Sequence, residues 1–239
     1  SFVLMDVDYA RNEIDANDRD GLVELKPVPV KGLYQPDTIA TYLHAGRIYL
    51  VMANEGDSRD NGDADGEDER RGSAGSGASE LVPENTLLSR LTLSNVESAP
   101  GQLVTFGGRS FSIRDDQGRI VFDSGNRLDA EAIARGIYDH GRSDNKGVEP
   151  EGLALLPIEG RMLAFIGLER TLKSAIAVYD ITDPRAARFV DMIVSDGDRS
   201  PEGLSAFRVG SRHFVAVANE VSDTTSLFEI RLQPGGPVR

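Results

Sequence analysis

The stretch Gln35-Pro36-Asp37-Thr38-Ile39 opens a segment that closes at Ala53-Asn54-Glu55, 19 residues after the proline. The frame returns twice with the same step of 19, as Glu149-Pro150-Glu151-Gly152-Leu153 closing at Glu169 and as Ser200-Pro201-Glu202-Gly203-Leu204 closing at Glu220. In every copy an acid follows the proline and a glutamate ends the segment. Such constant spacing predicts one supersecondary unit that is used several times.

The second copy shows what this unit looks like. Two apolar runs, Leu153–Leu156 and Met162–Ile166, flank a turn at Gly160 and predict an antiparallel hairpin. Two further strand-like runs follow at Ile176–Ile181 and Arg188–Val194, before the next copy begins 51 residues after the last. Four short antiparallel strands in a unit of roughly 40–50 residues are typical of a propeller blade.

The fold class predicted for the chain is therefore all-β, a partial β-propeller or one of about four blades, each with four antiparallel strands. A divergent blade without the Pro-acid signature is predicted over residues 103–122, and helical spacing between Leu128 and Tyr138 predicts one short helix in a loop. We expect residues 1–239 to form a single propeller segment that is part of a longer propeller.

The hairpin geometry places the acid after the proline and the closing glutamate at the same end of each blade. If the first strand lies innermost, these acids converge at one mouth of the central channel. Carboxylates gathered there repel one another unless a cation or bound donors neutralise them. The alternative is that each acid caps a turn and accepts backbone N–H groups. The candidate metal ligands are Asp37, Glu55, Asp57, Glu151, Glu169, Glu202 and Glu220.

Oxygen ligands favour a hard cation at such a mouth. The chain has no cysteine and only three histidines, which disfavours zinc. Ca²⁺ is the predicted cofactor, ahead of Mg²⁺. Arg170 directly follows Glu169, Arg142 lies shortly before the second copy, and Arg109 lies in Gly107-Gly108-Arg109-Ser110. These arginines could hold an anionic ligand or form salt bridges with the acids.

Composition limits the partners. A net charge of −13 argues against nucleic acid, and the absence of an apolar run of about 18 residues argues against a membrane span in this chain. Residues 56–85 form an acidic, Gly/Ser-rich insertion that we expect to be flexible. Within it, Asn61–Gly66 resembles the first half of an EF-hand calcium loop, but Gly72 stands where the bidentate glutamate belongs, so a solvated acidic loop is the alternative.

Several motifs together resemble one known family. They include Gln35-Pro36-Asp37, Ala53-Asn54-Glu55-Gly56-Asp57, Phe106-Gly107-Gly108-Arg109-Ser110, Glu149-Pro150-Glu151-Gly152 and Ala218-Asn219-Glu220. This set is similar to the choice-of-anchor I proteins over nearly the whole chain. The resemblance implies an exported bacterial β-propeller, alkaline phosphatase-like or phytase-like, of which this chain covers the C-terminal part. It also implies that the remaining blades lie on a preceding segment.

Two functions follow from these observations. The first is a metal-dependent phosphatase or phosphodiesterase-like hydrolase, in which the acids hold the cation and the arginines hold phosphate. The second is a non-catalytic binding or adhesion scaffold with structural calcium. In either case we expect a secreted, periplasmic or cell-surface bacterial protein.

Overall fold

A computed structural model of the chain describes residues 6–58, 69–71, 82 and 87–232. About 50% of the residues are in strands and 6% in helices, which confirms the all-β class. Contacts divide the chain into two compact units. The mixed unit comprises Ser1–Gln35, Glu55–Arg109 and Gly125–Glu149; the blade unit comprises Pro36–Asn54, Ser110–Ser124 and Pro150–Arg239. That the whole chain forms one propeller segment stays a prediction.

The described residues contain sixteen strands, one α-helix and one short 3₁₀ helix, His140–Arg142. In chain order these are β1 (Asp6–Asp8), β2 (Val30–Leu33), β3 (Ile39–His44), β4 (Arg47–Asn54), β5 (Glu69–Arg71), β6 (Thr92–Ser94), β7 (Leu103–Phe106), β8 (Ser110–Asp115), β9 (Ile120–Asp123), α1 (Arg127–Ala134), β10 (Pro150–Ile158), β11 (Arg161–Leu168), β12 (Ser174–Asp180), β13 (Arg188–Ser195), β14 (Pro201–Val209), β15 (Arg212–Asn219) and β16 (Thr224–Ile230).

The blade unit holds three antiparallel sheets, which we name blades. Blade I has the order β3-β4-β8-β9, blade II the order β10-β11-β12-β13 and blade III the order β14-β15-β16. The innermost strand of blade II, β10, contacts β3 and β4 on one side and β14 on the other. Within this unit the blades therefore form a propeller-like row that is not closed. Each predicted repeat hairpin is confirmed as the first two strands of a blade.

The prediction of a separate, divergent blade over residues 103–122 is wrong. Its first strand, β7, belongs to the mixed unit and pairs in parallel with β2. Its other two strands, β8 and β9, complete blade I, since β8 pairs with β4 over Tyr49–Asn54. Strand periodicity locates strands but does not say which distant strand each one pairs with.

The short helix is confirmed and is two turns long. It begins at Arg127 and ends at Ala134, whereas the sequence pattern extends to Tyr138. Gly136 adopts a left-handed backbone, with φ +66°, and its N–H donates to the carbonyl of Ile133. Glycine at this position ends a helix without a Cβ penalty, which explains the early stop.

The residue before each repeat proline has a left-handed backbone. Gln35, Glu149 and Ser200 have φ values of +34°, +50° and +57°. Few residues other than glycine adopt this conformation, so three copies at one repeat position indicate a shared backbone turn. In blades II and III the pairing register shifts directly after the proline, so the acid lies in a bulge. A bulge re-aims the side chain that it carries.

A buried asparagine joins strands in two of the three repeats. Asn54 is fully buried, and its amide donates to the hydroxyls of Ser110 and Ser112 on β8. At the equivalent position of blade III, Asn219 donates to Thr224 and Ser226 on β16. Blade II has Leu168 there, paired with Ala175, so the same position is apolar. The asparagine of the repeated Asn-Glu pair therefore stabilises strand pairing within blades I and III.

Strand alternation gives each blade two faces. The face toward the next blade, which we call the forward face, carries Leu156, Leu163 and Phe165 in blade II. The backward face of blade III carries Val215 and Val217, which pack in the same core cluster. Glycines permit this close approach, because a Cβ on Gly152 would lie 2.1 Å from the carbonyl oxygen of Glu202, and one on Gly167 would lie 2.4 Å from that of Pro201.

The mixed unit is built from short pieces around a buried core. Its main sheet has the order β1-β2-β7, and a second pairing joins β5 to β6. The Tyr9 hydroxyl donates to the carbonyl oxygen of Gly107, while Gly107 packs so closely on the backbone of Glu55 that a Cβ there would lie 1.9 Å from the Glu55 oxygen. This packing anchors the start of the 56–85 insertion. Most of that insertion, including the EF-hand-like Asn61–Gly66 segment and Gly72, lies outside the described residues.

Candidate functional site

The Pro-acid positions of blades I and II come together in the blade unit. Asp37 and Glu151 each offer a carboxylate oxygen within 4.8 Å of the other. Asp37 is exposed, and its carboxylate also accepts the Thr38 hydroxyl at 3.1 Å. Glu151 is half-buried in the bulge of β10. Two like charges at this separation disfavour each other unless a cation lies between them.

The equivalent acids of blade III are more open to solvent. Glu202 follows Pro201 in β14, and Glu220 follows β15; both side chains are exposed. The backbone N–H of Glu220 donates to the carbonyl of Ser200 at 2.8 Å, which closes the third hairpin. These two residues mark the same end of blade III that Asp37 and Glu151 mark in the preceding blades.

Glu169 and Arg170 form an adjacent ion pair at the end of β11. Glu169 is 5% exposed, and its carboxylate lies 2.7 Å from the Arg170 guanidinium, whose side chain is 37% exposed. A nearly buried carboxylate is costly unless it is paired. Arg170 therefore neutralises Glu169 while its own side chain stays partly exposed.

In the mixed unit, the predicted residues Glu55, Asp57 and Arg142 join a network centred on Lys146. The Lys146 ammonium lies 2.6 Å from Glu55, 3.0 Å from Glu149 and 3.7 Å from Asp57. Arg142 donates through Nε to the other oxygen of Glu149 at 2.9 Å. Two cations and three carboxylates thus meet in one cluster, and Glu55 and Glu149 themselves approach within 4.8 Å.

Lys146 supplies positive charge where a bound cation was expected. Burial lowers its pKa, but the carboxylates of Glu149 and Glu55 outweigh burial and raise the pKa above its ordinary value. The ammonium therefore stays charged at neutral pH and offsets the acids around it. Sequence reasoning missed Lys146 and Glu149, although Glu149 precedes Pro150 in the repeat and Lys146 lies three residues before it.

Arg109 is a core residue of the mixed unit, so its prediction as an accessible ligand-binding residue is corrected. The side chain is 1% exposed, and φ at this residue is +50°. Its guanidinium donates to the backbone carbonyls of Asp15 at 2.9 Å, Ser143 at 2.7 Å and Asn145 at 2.9 Å. It thereby ties three segments of the mixed unit together.

Asp129 of α1 faces the same core. Its carboxylate lies 3.7 Å from the Arg109 guanidinium and accepts the backbone N–H of Val148 at 3.3 Å. Burial raises the pKa of Asp129 to about 6, although Arg109 and the Val148 N–H act in the opposite direction. Burial likewise raises the pKa of Asp15, whose carboxylate accepts the Ser143 hydroxyl at 2.7 Å. The raised pKa values of Asp129 and Asp15 thus have a packing cause.

The donor chemistry of the blade-unit positions suits hard cations. Carboxylates dominate, and the chain contains no cysteine. Oxygen donors of this kind match Ca²⁺ or Mg²⁺ rather than zinc or copper. Asp37 and Glu151 could supply two ligands, with backbone carbonyls and water completing the six to eight that calcium takes.

These features define an all-β protein of blade-like antiparallel sheets with carboxylates at the strand starts. The sequence model of the choice-of-anchor I domain matches residues 4–184, about three quarters of the chain, and the chain belongs to that family. Membership makes it a bacterial surface or exported β-structured protein. A comparison with curated proteins gives no match. Among the described residues, no helix is both long and apolar enough to cross a membrane.

Proposed function

We propose that this chain is a surface or exported binding scaffold that takes up a divalent cation, Ca²⁺ first, at Asp37 and Glu151, the Pro-acid positions of blades I and II. The observation that carries the proposal is the approach of Asp37 and Glu151 to within 4.8 Å from two successive blades. A cation between them would remove their repulsion and join blade I to blade II. Calcium here is structural, and the blades present a rigid binding surface.

The scaffold proposal predicts opposite effects of calcium and of neutralising substitutions. With Ca²⁺ at a hundred times its Kd, the native state gains about 2.7 kcal/mol, which corresponds to about 5–11 °C in Tm for a chain of this size. Asp37→Asn and Glu151→Gln abolish that rise. In EDTA the same variants melt at or above the wild-type temperature, because one of two repelling charges is gone.

The matched control is Glu202→Gln, which changes the equivalent repeat position of blade III. Its calcium-dependent rise in Tm equals that of the wild type. Differential scanning calorimetry with EDTA and with added Ca²⁺, together with isothermal titration, measures both effects. If the Tm of the wild type does not change with Ca²⁺, the cation proposal is overturned. The acids then act as turn caps.

The second candidate is a metal-dependent phosphoester hydrolase. It is favoured by the Glu169–Arg170 pair, in which the guanidinium of a partly exposed arginine side chain lies 2.7 Å from a nearly buried carboxylate. Arg170 would hold a phosphate oxygen, and Glu169 would bind the metal or orient the attacking water. Arg142 belongs to the Lys146 cluster and Arg109 to the core, so this candidate depends on Arg170 for phosphate binding.

Turnover of chromogenic phosphate monoesters and diesters with Ca²⁺ or Mg²⁺ tests the hydrolase. Glu169→Gln abolishes turnover with the fold intact, while the control Glu220→Gln, at the repeat-equivalent and exposed position, retains it. Calcium-dependent melting without any turnover supports the scaffold and contradicts the hydrolase.

A further inference from the structure

An arginine begins the second strand of all three blades. Arg47, Arg161 and Arg212 each lie eleven residues after the repeat proline and are the first residues of β4, β11 and β15. In blade I the guanidinium of Arg47 lies 3.0 Å from the carboxylate of Asp116, and in blade III that of Arg212 lies 2.7 Å from the carboxylate of Glu229. The repeat thus holds an arginine at a position where it meets a carboxylate.

Blade II has the arginine but has lost this pair. Asp180 of β12 occupies the strand position that Glu229 has in β16, as the pairing registers of the two blades show. Its carboxylate is instead bound by Arg188 at 2.9 Å and accepts the Thr182 hydroxyl at 2.6 Å. No hydrogen bond or ion pair joins the Arg161 guanidinium to any residue that the structure describes. Arg161 is therefore the arginine of the three whose carboxylate is missing.

Arg161 lines a cavity of about 410 Å³ between blades I and II. The cavity lies beside the hairpin turns, at the opposite end of the strands from the Pro-acid positions. Tyr42, Pro157, Ile158 and Met162 supply aromatic and apolar parts of its wall. Cavities of this size, walled by apolar side chains with a few polar groups, are typical of small-molecule sites.

The polar groups of the wall differ in whether they already have partners. The Tyr42 hydroxyl donates to the Ile181 carbonyl at 2.8 Å, and the Thr182 hydroxyl is already bonded within blade II. The Arg161 guanidinium and the His44 ring have no hydrogen-bond partner among the residues that the structure covers. Both groups can donate, since a guanidinium stays charged and a neutral imidazole keeps one N–H. An occupant must therefore supply acceptors, and an oxyanion matches the guanidinium fork best.

We propose that this cavity binds a small organic acid, whose carboxylate or phosphate pairs with Arg161 as Asp116 and Glu229 pair with the arginines of blades I and III. The apolar body of the ligand packs on Tyr42 and Met162. The net charge of −13 repels anions at long range, so short-range contacts supply the affinity. The site is remote from the Pro-acid positions along the strands, so its binding does not require the proposed cation.

Titration of the full chain with naphthoate and with naphthyl phosphate, followed by nuclear magnetic resonance in EDTA, tests this site. Both probes carry an oxyanion on an apolar ring, and the tighter of the two identifies the preferred oxyanion. The amide signals of Arg161 and Met162 are expected to move on binding, whereas neutral naphthamide leaves them in place. Arg161→Gln weakens binding by about 10–100-fold, because a charge-assisted hydrogen bond is lost.

The matched control is Arg185→Gln, which removes the same charge from the same blade. Arg185 is exposed and does not line the cavity, so this variant binds the probes as the wild type does. Glu159 lies on the cavity wall and is exposed, and Glu159→Gln leaves anion binding unchanged or tightens it, because a like charge is removed.

Three results would overturn the proposal. If neither anion binds, or if naphthamide binds as tightly as naphthoate, the cavity does not recognise an oxyanion. Equal affinities of the wild type and Arg161→Gln would show that Arg161 is not the anion partner. Weaker binding in Glu159→Gln would indicate a ligand that also carries a positive charge. None of these results bears on the Asp37–Glu151 cation, which the calcium-dependent Tm tests separately.

Discussion

Substituting Gly152 probes the contact between blades II and III. A Cβ at this position would lie 2.1 Å from the carbonyl oxygen of Glu202 and 2.6 Å from a methyl carbon of Leu204. The nearest atom belongs to the backbone. Because atoms in contact lie about 3.5 Å apart, relief requires β10 and β14 to move apart by roughly 1.4 Å. Overpacking of this kind costs about 1–3 kcal/mol.

Gly203 is the matched control, since it occupies the same repeat position one blade later. A Cβ there would meet only the Ala218 Cβ at 3.5 Å, an ordinary contact. Neither glycine has a left-handed backbone, so Gly203→Ala should stabilise by about 0.4–1 kcal/mol through the unfolded state. The two alanine variants are therefore expected to differ by about 1.5–4 kcal/mol.

Urea unfolding followed by circular dichroism measures this difference. Both substitutions are made in the wild-type chain and are measured at the same protein concentration. Relative to the wild type, Gly152→Ala lowers the urea midpoint and Gly203→Ala does not. Equal midpoints for the two variants would refute the reasoning, because the close approach at Gly152 would then make no difference to the free energy of unfolding.

Two further predictions concern the mixed unit. Lys146→Met leaves the 1%-exposed Glu149 with fewer partners, so it should lower the free energy of unfolding, measured in urea, by about 1–3 kcal/mol. The control is Lys173→Met, which removes the exposed pair with Asp196 and should change the free energy of unfolding by less than about 0.5 kcal/mol. Equal losses in the two variants would contradict the role of the Lys146 cluster. Asp129 has a pKa of about 6 in the folded state against a value near 3.8 in the unfolded state. Its protonated carboxyl therefore stabilises the folded state below pH 3.8, and this contribution is lost as pH rises through 6. The difference in Tm between wild type and Asp129→Asn should therefore shift against the wild type from pH 4 to pH 6, and a constant difference would exclude a raised pKa.

The hairpins of the blades could be predicted because their information is local. The turns at Gly160 and Gly210 and the alternating apolar residues of β10, β11, β14 and β15 lie within one repeat. Strand period and turn chemistry decide such a unit before any distant contact forms. The pairing of β4 with β8 was not predictable in this way, because the whole segment Glu55–Arg109 lies between them and belongs to the other unit.

The same distinction between local and long-range information applies to the candidate site. The Pro-acid positions Asp37 and Glu151 were predicted to converge, and they lie within 4.8 Å, because the repeat itself sets both strand starts. The partners of the acids were not predictable, since Lys146 reaches Glu55 across 91 residues of chain. The burial of Arg109 was missed for the same reason, as its carbonyl acceptors come from segments near residues 15 and 143.

The sequence by itself determined the repeated hairpin, the all-β class and the family, because each depends on the spacing of residues that are close together in the sequence. Only the tertiary structure decided which strands complete each blade, which acids are neutralised and which arginine is buried. Those outcomes depend on burial and charge pairing between distant segments, and such interactions gain their strength only after folding has excluded water.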